Sequence, residues 1–141
     1  MTRINVYIGF NGKCREAMTF YKECLGGELE LQTVAGSPIE NHCPVEMKDH
    51  IMHSSLTRNG VLMLMGTDMT APGGYVNENS VACNLNCSSE EEINTFYKLL
   101  SEGGHIIDPL GVKFWGAIFG VFTDKFGIGW MLHFDPKANN L

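Results

Sequence analysis

Apolar residues recur along this chain with helical spacing at two places half a chain apart. Two sets follow the spacing i, i+3, i+4 and i+7, the second about 76 residues after the first: Ala17, Phe20, Tyr21 and Cys24, then Ile93, Phe96, Tyr97 and Leu100. The four-residue sequence Thr-Phe-Tyr-Lys that begins at Thr19 also begins again at Thr95. The spacing predicts two amphipathic helices with buried aromatic pairs, and the repetition indicates an internal duplication.

The ends of the two predicted helices agree as well. Each helix is followed by a glycine pair, at residues 26–27 and 103–104, where a left-handed C-cap costs least. Ser89 and Glu92 form the sequence of a capping box at the start of the second helix. Residues 11–12, Asn-Gly, give the first helix a weaker start signal, so its boundary is less well defined.

Short β-type segments surround each helix and predict the same order twice. One strand precedes each helix (4–10 and 81–87), one follows it (28–34 and 105–107), and a hairpin closes each half (51–58 with 61–65, and 117–123 with 128–134). Each half therefore reads β-α-β-β-β. We predict an α+β fold with module 1 at about residues 1–68 and module 2 at about 79–135. A module of this size is marginal alone, so the two are expected to share a core within one domain, 1–141.

Composition excludes several classes of function. The chain carries a net charge of −6, and its ten Lys and Arg form no basic stripe, which argues against nucleic acid as a partner. No apolar run approaches the length that spans a bilayer, and the first residues show no secretory signal pattern. The five cysteines suggest no disulfide framework. We therefore expect a cytoplasmic protein with no membrane partner.

Paired β-α-β-β-β modules resemble the vicinal-oxygen-chelate superfamily, which contains the glyoxalases, bleomycin-resistance proteins and dioxygenases. Several phrases, in this order, are similar to its PhnB-like branch: Phe20-Tyr21, Leu25-Gly26-Gly27, Met52-His53, Leu62 to Met65 running to Asp68, Ser101 to Gly104, Phe114-Trp115-Gly116, and Thr123 to Gly127 with Trp130. The resemblance covers the chain from end to end. It implies the glyoxalase/bleomycin-resistance fold, a small-molecule site between the modules, and a homodimer.

The metal enzymes of that superfamily hold an ion with four His, Glu or Gln side chains from equivalent strands. Carried over to this sequence, the resemblance puts these places near Val6, at Met63, near residues 80–82 and at Met131. None of these residues is a suitable ligand for a hard or borderline cation. The sequence therefore predicts the fold without its metal, and no cofactor.

A separate group of ligand-type residues lies in and after the segment 35–49: His42, Cys43, His50 and His53, with Glu46 and Asp49 between them. Their spacing matches no common zinc pattern. We interpret them as surface loop residues with one histidine, His53, in the site. Whether the group binds a metal is left open by the sequence.

Strand alternation and the resemblance together indicate a set of candidate ligand-binding residues: His53, Ser55, Met63, Met65, Asn84, Trp115, Met131 and His133. The methionines suit a ligand of adaptable shape, and Trp115 could stack on it. The alternative is structural, since methionines on central strands often fill the core and histidines are often held by hydrogen bonds. The sequence does not identify catalytic residues.

Two functions of different classes follow. The first is a metal-independent protein that binds a small, largely apolar or aromatic molecule. The second is a metal-dependent isomerase, lyase or dioxygenase that uses His53 or His133. A third, methyl transfer, is suggested by the demethylubiquinone methyltransferase label common in the branch. The residues do not support it, because the chain has no G-x-G-x-x-G turn between a strand and a helix.

Overall fold

The computed structural model describes residues 2–69, 74–75 and 80–137. They belong to two compact units, Met1–Val76 and Asn77–Leu141, called unit 1 and unit 2 below. Unit 1 contains β1 (Tyr7–Gly9), α1 (Cys14–Leu25), β2 (Glu28–Thr33), β3 (Ile51–Arg58) and β4 (Val61–Thr67). Unit 2 contains β5 (Cys83–Asn86), α2 (Glu90–Leu100), β6 (His105–Val112), β7 (Ile118–Thr123) and β8 (Gly129–Phe134). Short 3-10 turns, Glu40–His42 and Val45–Met47, interrupt the segment before β3.

Unit 1 is a four-stranded sheet with α1 packed on one face. The strand order is β1-β4-β3-β2, with β1 parallel to β4 and the other pairs antiparallel. α1 contacts β2, β3 and β4, and the predicted apolar stripe faces them, since Ala17 and Tyr21 are fully buried. Leu56 and Leu64, which pair across β3 and β4, are buried on the same side. Among the described residues of unit 1, α1 is the only α-helix, so the other face of the sheet carries no α-helix of this unit.

Unit 2 repeats this plan. Its strand order is β5-β8-β7-β6, again with the first pair parallel and the others antiparallel. Trp130 and Leu132 of β8 are buried, and α2 contacts β8. The two β-α-β-β-β modules and the α+β fold class are confirmed.

α1 begins with a cap that comes from far along the chain. The N-cap residue Lys13 makes no side-chain capping bond. Instead the carboxylate of Asp68, just after β4, accepts hydrogen bonds from the backbone N–H groups of Gly12 and Cys14, both at 2.8 Å. Its second oxygen accepts from the N–H of Ile51 at 2.8 Å. Asp68 thereby fixes the first turn of α1 to the start of β3 and the end of β4.

α2 begins with the predicted capping box. The Ser89 hydroxyl accepts from the Glu92 N–H at 3.0 Å, and the Glu92 carboxylate accepts from the Ser88 N–H at 2.9 Å. The return bond therefore goes to the residue before the N-cap rather than to the N-cap itself. Both hydrogen bonds join residues within four positions of each other.

The glycine pairs after the helices have a second role that the capping argument does not include. A Cβ atom on Gly27 would overlap the backbone carbonyl of Thr57, and one on Gly104 would overlap that of Thr123. The chain thus passes directly against the backbone of the next hairpin in both units. Only glycine permits this approach, which is why the second residue of each pair is glycine.

Several strand boundaries differ from the prediction, most clearly those of β1 and β6. β1 is limited to Tyr7–Gly9, whereas β6 runs on to Val112. The pairing of β6 with β7 shifts register on both sides of Asp108, around Pro109. Proline interrupts a regular ladder and is accepted on an edge strand, which is the position of β6. The irregular pairing explains why the continuation of the strand was missed. Among the described residues, no helix is long and apolar enough to cross a membrane.

Candidate functional site

The helix-free face of the unit 1 sheet carries Tyr7, His53, Ser55 and Met65, called the polar face here. Ser55 pairs with Met65, and Met65 pairs with Tyr7, so the three lie in one row across β3, β4 and β1. The hydroxyl of Tyr7 lies 3.4 Å from Nδ1 of His53, with the two ring centres 5.8 Å apart. Tyr7 is 51% exposed and His53 is half-buried, so both rings can reach a molecule placed on this face.

Met63, a predicted site residue, lies at an irregularity of β4. The pairs Leu56–Leu64 and Thr57–Leu62 leave it as the extra residue of a bulge. Met63 therefore does not belong to the row of paired residues that contains Met65.

Backbone hydrogen bonds show which residues of the two units are equivalent. The N–H that follows β1, of Phe10, donates to the carbonyl of Thr67 at 2.9 Å, and the N–H that follows β5, of Cys87, donates to that of His133 at 2.8 Å. Counting back from these bonds, Met65 is the equivalent of Met131. The equivalence expected between Met63 and Met131 is thus shifted by two residues. The bulge at Met63 adds one residue to β4, and alternation along the sequence does not show it.

The helix-free face of the unit 2 sheet has different chemistry, and is called the aromatic face here. It contains two rows of paired residues, Asn84–Met131–Val121 and Asn86–His133–Phe119, across β5, β8 and β7. The rings of Phe119 and His133 lie 6.4 Å apart with an interplanar angle of 71°. Met131 is 36% exposed, and Asn84 and Asn86 are exposed. Three predicted residues, Asn84, Met131 and His133, thus share one face.

Trp115 extends the aromatic face from the β6–β7 hairpin. Its ring lies 5.7 Å from that of Phe119 in an edge arrangement, and it is 48% exposed. The hairpin is closed by hydrogen bonds from the N–H of Lys113 to the carbonyl of Ala117 and from the N–H of Gly116 to that of Lys113, both 2.9 Å. The Lys113 ammonium also donates to Asp108 at 2.8 Å. Trp115 is therefore held over the sheet by a braced turn.

Two residues of these faces were not among the candidates, Tyr7 and Phe119. Alternation from the buried Ile8 would have placed Tyr7 on the helix-free face, and alternation from the buried Phe122 and Gly120 would have done the same for Phe119. Both signals were present in the sequence. They were missed because aromatic residues on strands are usually interpreted as core.

The residues at the chelate positions do not fit a metal. In register with Met65 and Met131 the first strands supply Tyr7, one residue after Val6, and Asn84, two residues after Ala82. The pair in unit 1 is a phenol and a thioether, and the pair in unit 2 is an amide and a thioether. Neither pair includes a carboxylate or an imidazole for a divalent cation. In the described part of the chain, no group of three or more His, Cys, Asp or Glu side chains is placed to hold an ion. This includes the segment with His42, Cys43, His50 and His53.

Two of the buried cysteines, Cys14 and Cys83, are not set up as nucleophiles. Burial raises the pKa of the Cys14 thiol to about 11, and the neighbouring Asp68 carboxylate adds to this despite a hydrogen-bonding contact with Ser54. Burial likewise raises the pKa of Cys83 to about 11, with a contribution from Asp124. Both remain neutral thiols at neutral pH, whereas reactivity requires the thiolate.

Comparison with known proteins agrees with this architecture. The family model of the Glyoxalase/Bleomycin resistance protein/Dioxygenase superfamily matches residues 3–132. The chain belongs to this superfamily.

Three relatives cover nearly the whole chain. Protein YjdN of Escherichia coli is 29% identical in an alignment 140 residues long, which covers 92% of this chain and 93% of YjdN. The crystal structure of protein PA1353 from Pseudomonas aeruginosa is 38% identical with a TM-score of 0.79, covering 96% of this chain and 98% of that one. A PhnB protein from Bacillus cereus, which carries a 3-demethylubiquinone-9 3-methyltransferase label, is 26% identical with a TM-score of 0.70, covering 94% and 99%. PhnB-like proteins are thus among its structural neighbours.

Proposed function

We propose that this protein binds a small, largely apolar or aromatic molecule on the aromatic face, without a metal ion. The observation that carries the proposal is the ring series Trp115, Phe119 and His133, which lies on a helix-free sheet surface beside the thioether of Met131. Aromatic rings in edge or offset contact bind a further ring favourably, and methionine adapts to its shape. Side chains of this kind, with a few polar groups, are typical of small-molecule sites.

Metal independence is supported by the donor types at the chelate positions. Tyr7, Met65, Asn84 and Met131 could not polarise a substrate oxygen through a bound divalent ion. We therefore expect ligand binding to be unaffected by a chelator. Stoichiometric zinc, nickel, manganese or iron in protein purified without chelator would overturn this part of the proposal and favour the metal-dependent isomerase, lyase or dioxygenase instead.

Methyl transfer has no support in the structure of the strand-to-helix turns. The turn from β1 to α1 contains one glycine, Gly12, beyond the strand, and the turn from β5 to α2, residues 87–89, contains none. A glycine-rich turn at such a place is what admits the cofactor of the usual methyltransferases. The label carried by the Bacillus cereus protein is therefore not transferred to this chain.

The two tryptophans provide a direct test. Trp115 is half-exposed and Trp130 is 2% exposed, so acrylamide should quench the fluorescence of the first and spare the second. A thermal-shift screen of aromatic metabolites and antibiotics, with and without divalent metals, identifies compounds that stabilise the native state. A compound bound as proposed protects Trp115 from acrylamide.

Variants then assign the site. Trp115→Ala should weaken binding of such a compound at least about fivefold, because a stacked ring contributes roughly 1 kcal/mol beyond its buried area. Val45→Ala serves as the control, since Val45 is exposed and lies on neither face. Equal affinities for wild type and Trp115→Ala, or no protection of Trp115 by any hit, would refute the proposal.

We further propose a cytoplasmic homodimer, as expected from the superfamily. The spacing of the five cysteines suggests no disulfide framework, which is compatible with a reducing compartment. Light scattering at micromolar concentration should give twice the mass of 15.6 kDa. A monomer at all concentrations would contradict the dimer.

A further inference from the structure

The second row of the aromatic face contains side chains of different chemistry. Phe119, His133 and Asn86 are paired residues on β7, β8 and β5, so their side chains project from the same face as neighbours. The ring of Trp115 lies 5.7 Å from that of Phe119. The row therefore presents phenyl, imidazole and carboxamide, with an indole next to the phenyl.

The row is long enough to contact a molecule that contains more than one ring. Adjacent strands are about 4.8 Å apart, so Phe119 and Asn86 are separated by about 10 Å. A fused two-ring compound over Phe119 and His133 would bring a substituent at its far end close to Asn86.

The amide end is prepared to bind a hydrogen-bonding group. Asn86 Oδ1 accepts from Asn84 Nδ2 at 3.5 Å, which aligns the two amides on the exposed edge strand β5. With its oxygen engaged in this way, the NH₂ group of Asn86 can donate to an oxygen of a ligand.

The charges around the row favour an uncharged group. Lys113, the cation in the hairpin that carries Trp115, is bound to Asp108 at 2.8 Å and to the carbonyl of Pro109 at 3.2 Å. It is therefore not available for an anion. The protein as a whole carries a charge of −6, which also disfavours anionic ligands.

We infer that the ligand class is a fused-ring aromatic compound with an uncharged hydroxyl or carbonyl group at one end. Its rings lie against Trp115, Phe119 and His133, and its oxygen accepts from Asn86. This inference rests on the proposed function, since it assigns the chemistry of the molecule bound at the same face.

Three related probes test it, namely naphthalene, 2-naphthol and 2-naphthoate, with titration calorimetry as the measurement. Wild type should bind 2-naphthol about fivefold tighter than naphthalene, the effect of one hydrogen bond of about 1 kcal/mol. The naphthoate anion should bind more weakly than 2-naphthol, because it loses hydration without gaining a cation.

Asn86→Ala should remove the preference for 2-naphthol while leaving the affinity for naphthalene unchanged. Asn94→Ala, an exposed asparagine on α2, is the matched control and should keep the preference. Asn86→Ser, which retains a donor, should restore part of it. The side-chain amide NMR signals of Asn86 should shift with 2-naphthol and not with naphthalene.

The two hypotheses fail in different ways. Binding of naphthalene and 2-naphthol with equal affinity, or a preference that survives in Asn86→Ala, overturns the ligand class and leaves the aromatic face as a binding site. Tighter binding of 2-naphthoate than of 2-naphthol overturns the assignment of an uncharged group. Failure of all three probes to bind contradicts the proposed function itself.

Discussion

Replacement of Asp68 by alanine should destabilise unit 1 more than any single surface change. Asp68 is 4% exposed, and its carboxylate accepts hydrogen bonds from the N–H groups of Gly12, Cys14 and Ile51, each at 2.8 Å. Hydrogen bonds to a charged acceptor contribute about 1.5–3 kcal/mol each, and a buried donor left unpaired costs a similar amount. Water molecules that replace part of these hydrogen bonds in the variant reduce the total loss of stability.

We therefore expect Asp68→Ala to lower the free energy of unfolding by about 3–5 kcal/mol. For a chain of this length that corresponds to a fall in Tm of about 10 °C. Asp68→Asn should lose about 2 kcal/mol, because the amide keeps one accepting oxygen but turns a donor toward the N–H of one partner. Urea unfolding followed by circular dichroism measures all of these.

Asp49→Ala is the matched control, since Asp49 is exposed and its loss should change stability by less than about 0.5 kcal/mol. In the Asp68 variants the amide protons of Cys14 and Ile51 should also exchange faster with solvent. A loss of stability in Asp68→Ala no greater than that of Asp49→Ala would show that the carboxylate is not what fixes the start of α1.

Three further predictions concern packing and the thiols. Gly104→Ala should lower the free energy of unfolding by about 2 kcal/mol or more, because the added Cβ meets the carbonyl of Thr123. Gly103→Ala should lower it by about 1 kcal/mol, because alanine is strained at the φ of +76°. Equal melting temperatures of the two variants would contradict the close approach at Gly104. The free energy of unfolding should be constant up to about pH 9 and fall as the pH rises toward 11. The pKa values of Cys14 and Cys83 are raised to about 11, so these thiols keep their protons in the native state while unfolded thiols ionise near 9.0. A Cys14→Ala/Cys83→Ala variant should lose this pH dependence; if the variant kept it, other groups would be responsible. Of the five thiols, Cys43 should react first with Ellman's reagent, since the other four are buried, and a Cys43→Ser variant that retained a fast-reacting thiol would disprove this.

Local patterns in the sequence were sufficient for the fold. The helical spacing around Phe20 and Phe96 and the capping box at Ser89 each depend on residues within about one or two turns of one another. The order of the strands along the chain followed from the duplication. Strict alternation predicts which residues of β8 share a face, with Trp130 buried and Met131 exposed.

The features that sequence did not predict are those that depend on distant residues. Asp68 acts on Gly12 and Cys14 across 56 and 54 positions, a separation at which no pattern indicates a cap. The bulge at Met63 arises from the pairing of β3 with β4, so alternation along β4 does not show that Met65 corresponds to Met131. For the candidate site, alternation grouped Asn84 with Asn86, but the ring contact of Trp115 with Phe119 depends on how the hairpin folds.

The contrast between the two helix starts bears on the order in which the chain acquires structure. α2 is capped by Ser89, three positions from its partner, so its first turn can form as soon as those residues meet. α1 receives its cap from Asp68, which lies 56 positions from Gly12 and 54 from Cys14, and closing so large a loop carries an entropic cost. The two copies of one module are therefore expected to nucleate differently, with the carboxy-terminal copy gaining its helix early and the amino-terminal copy gaining its helix late.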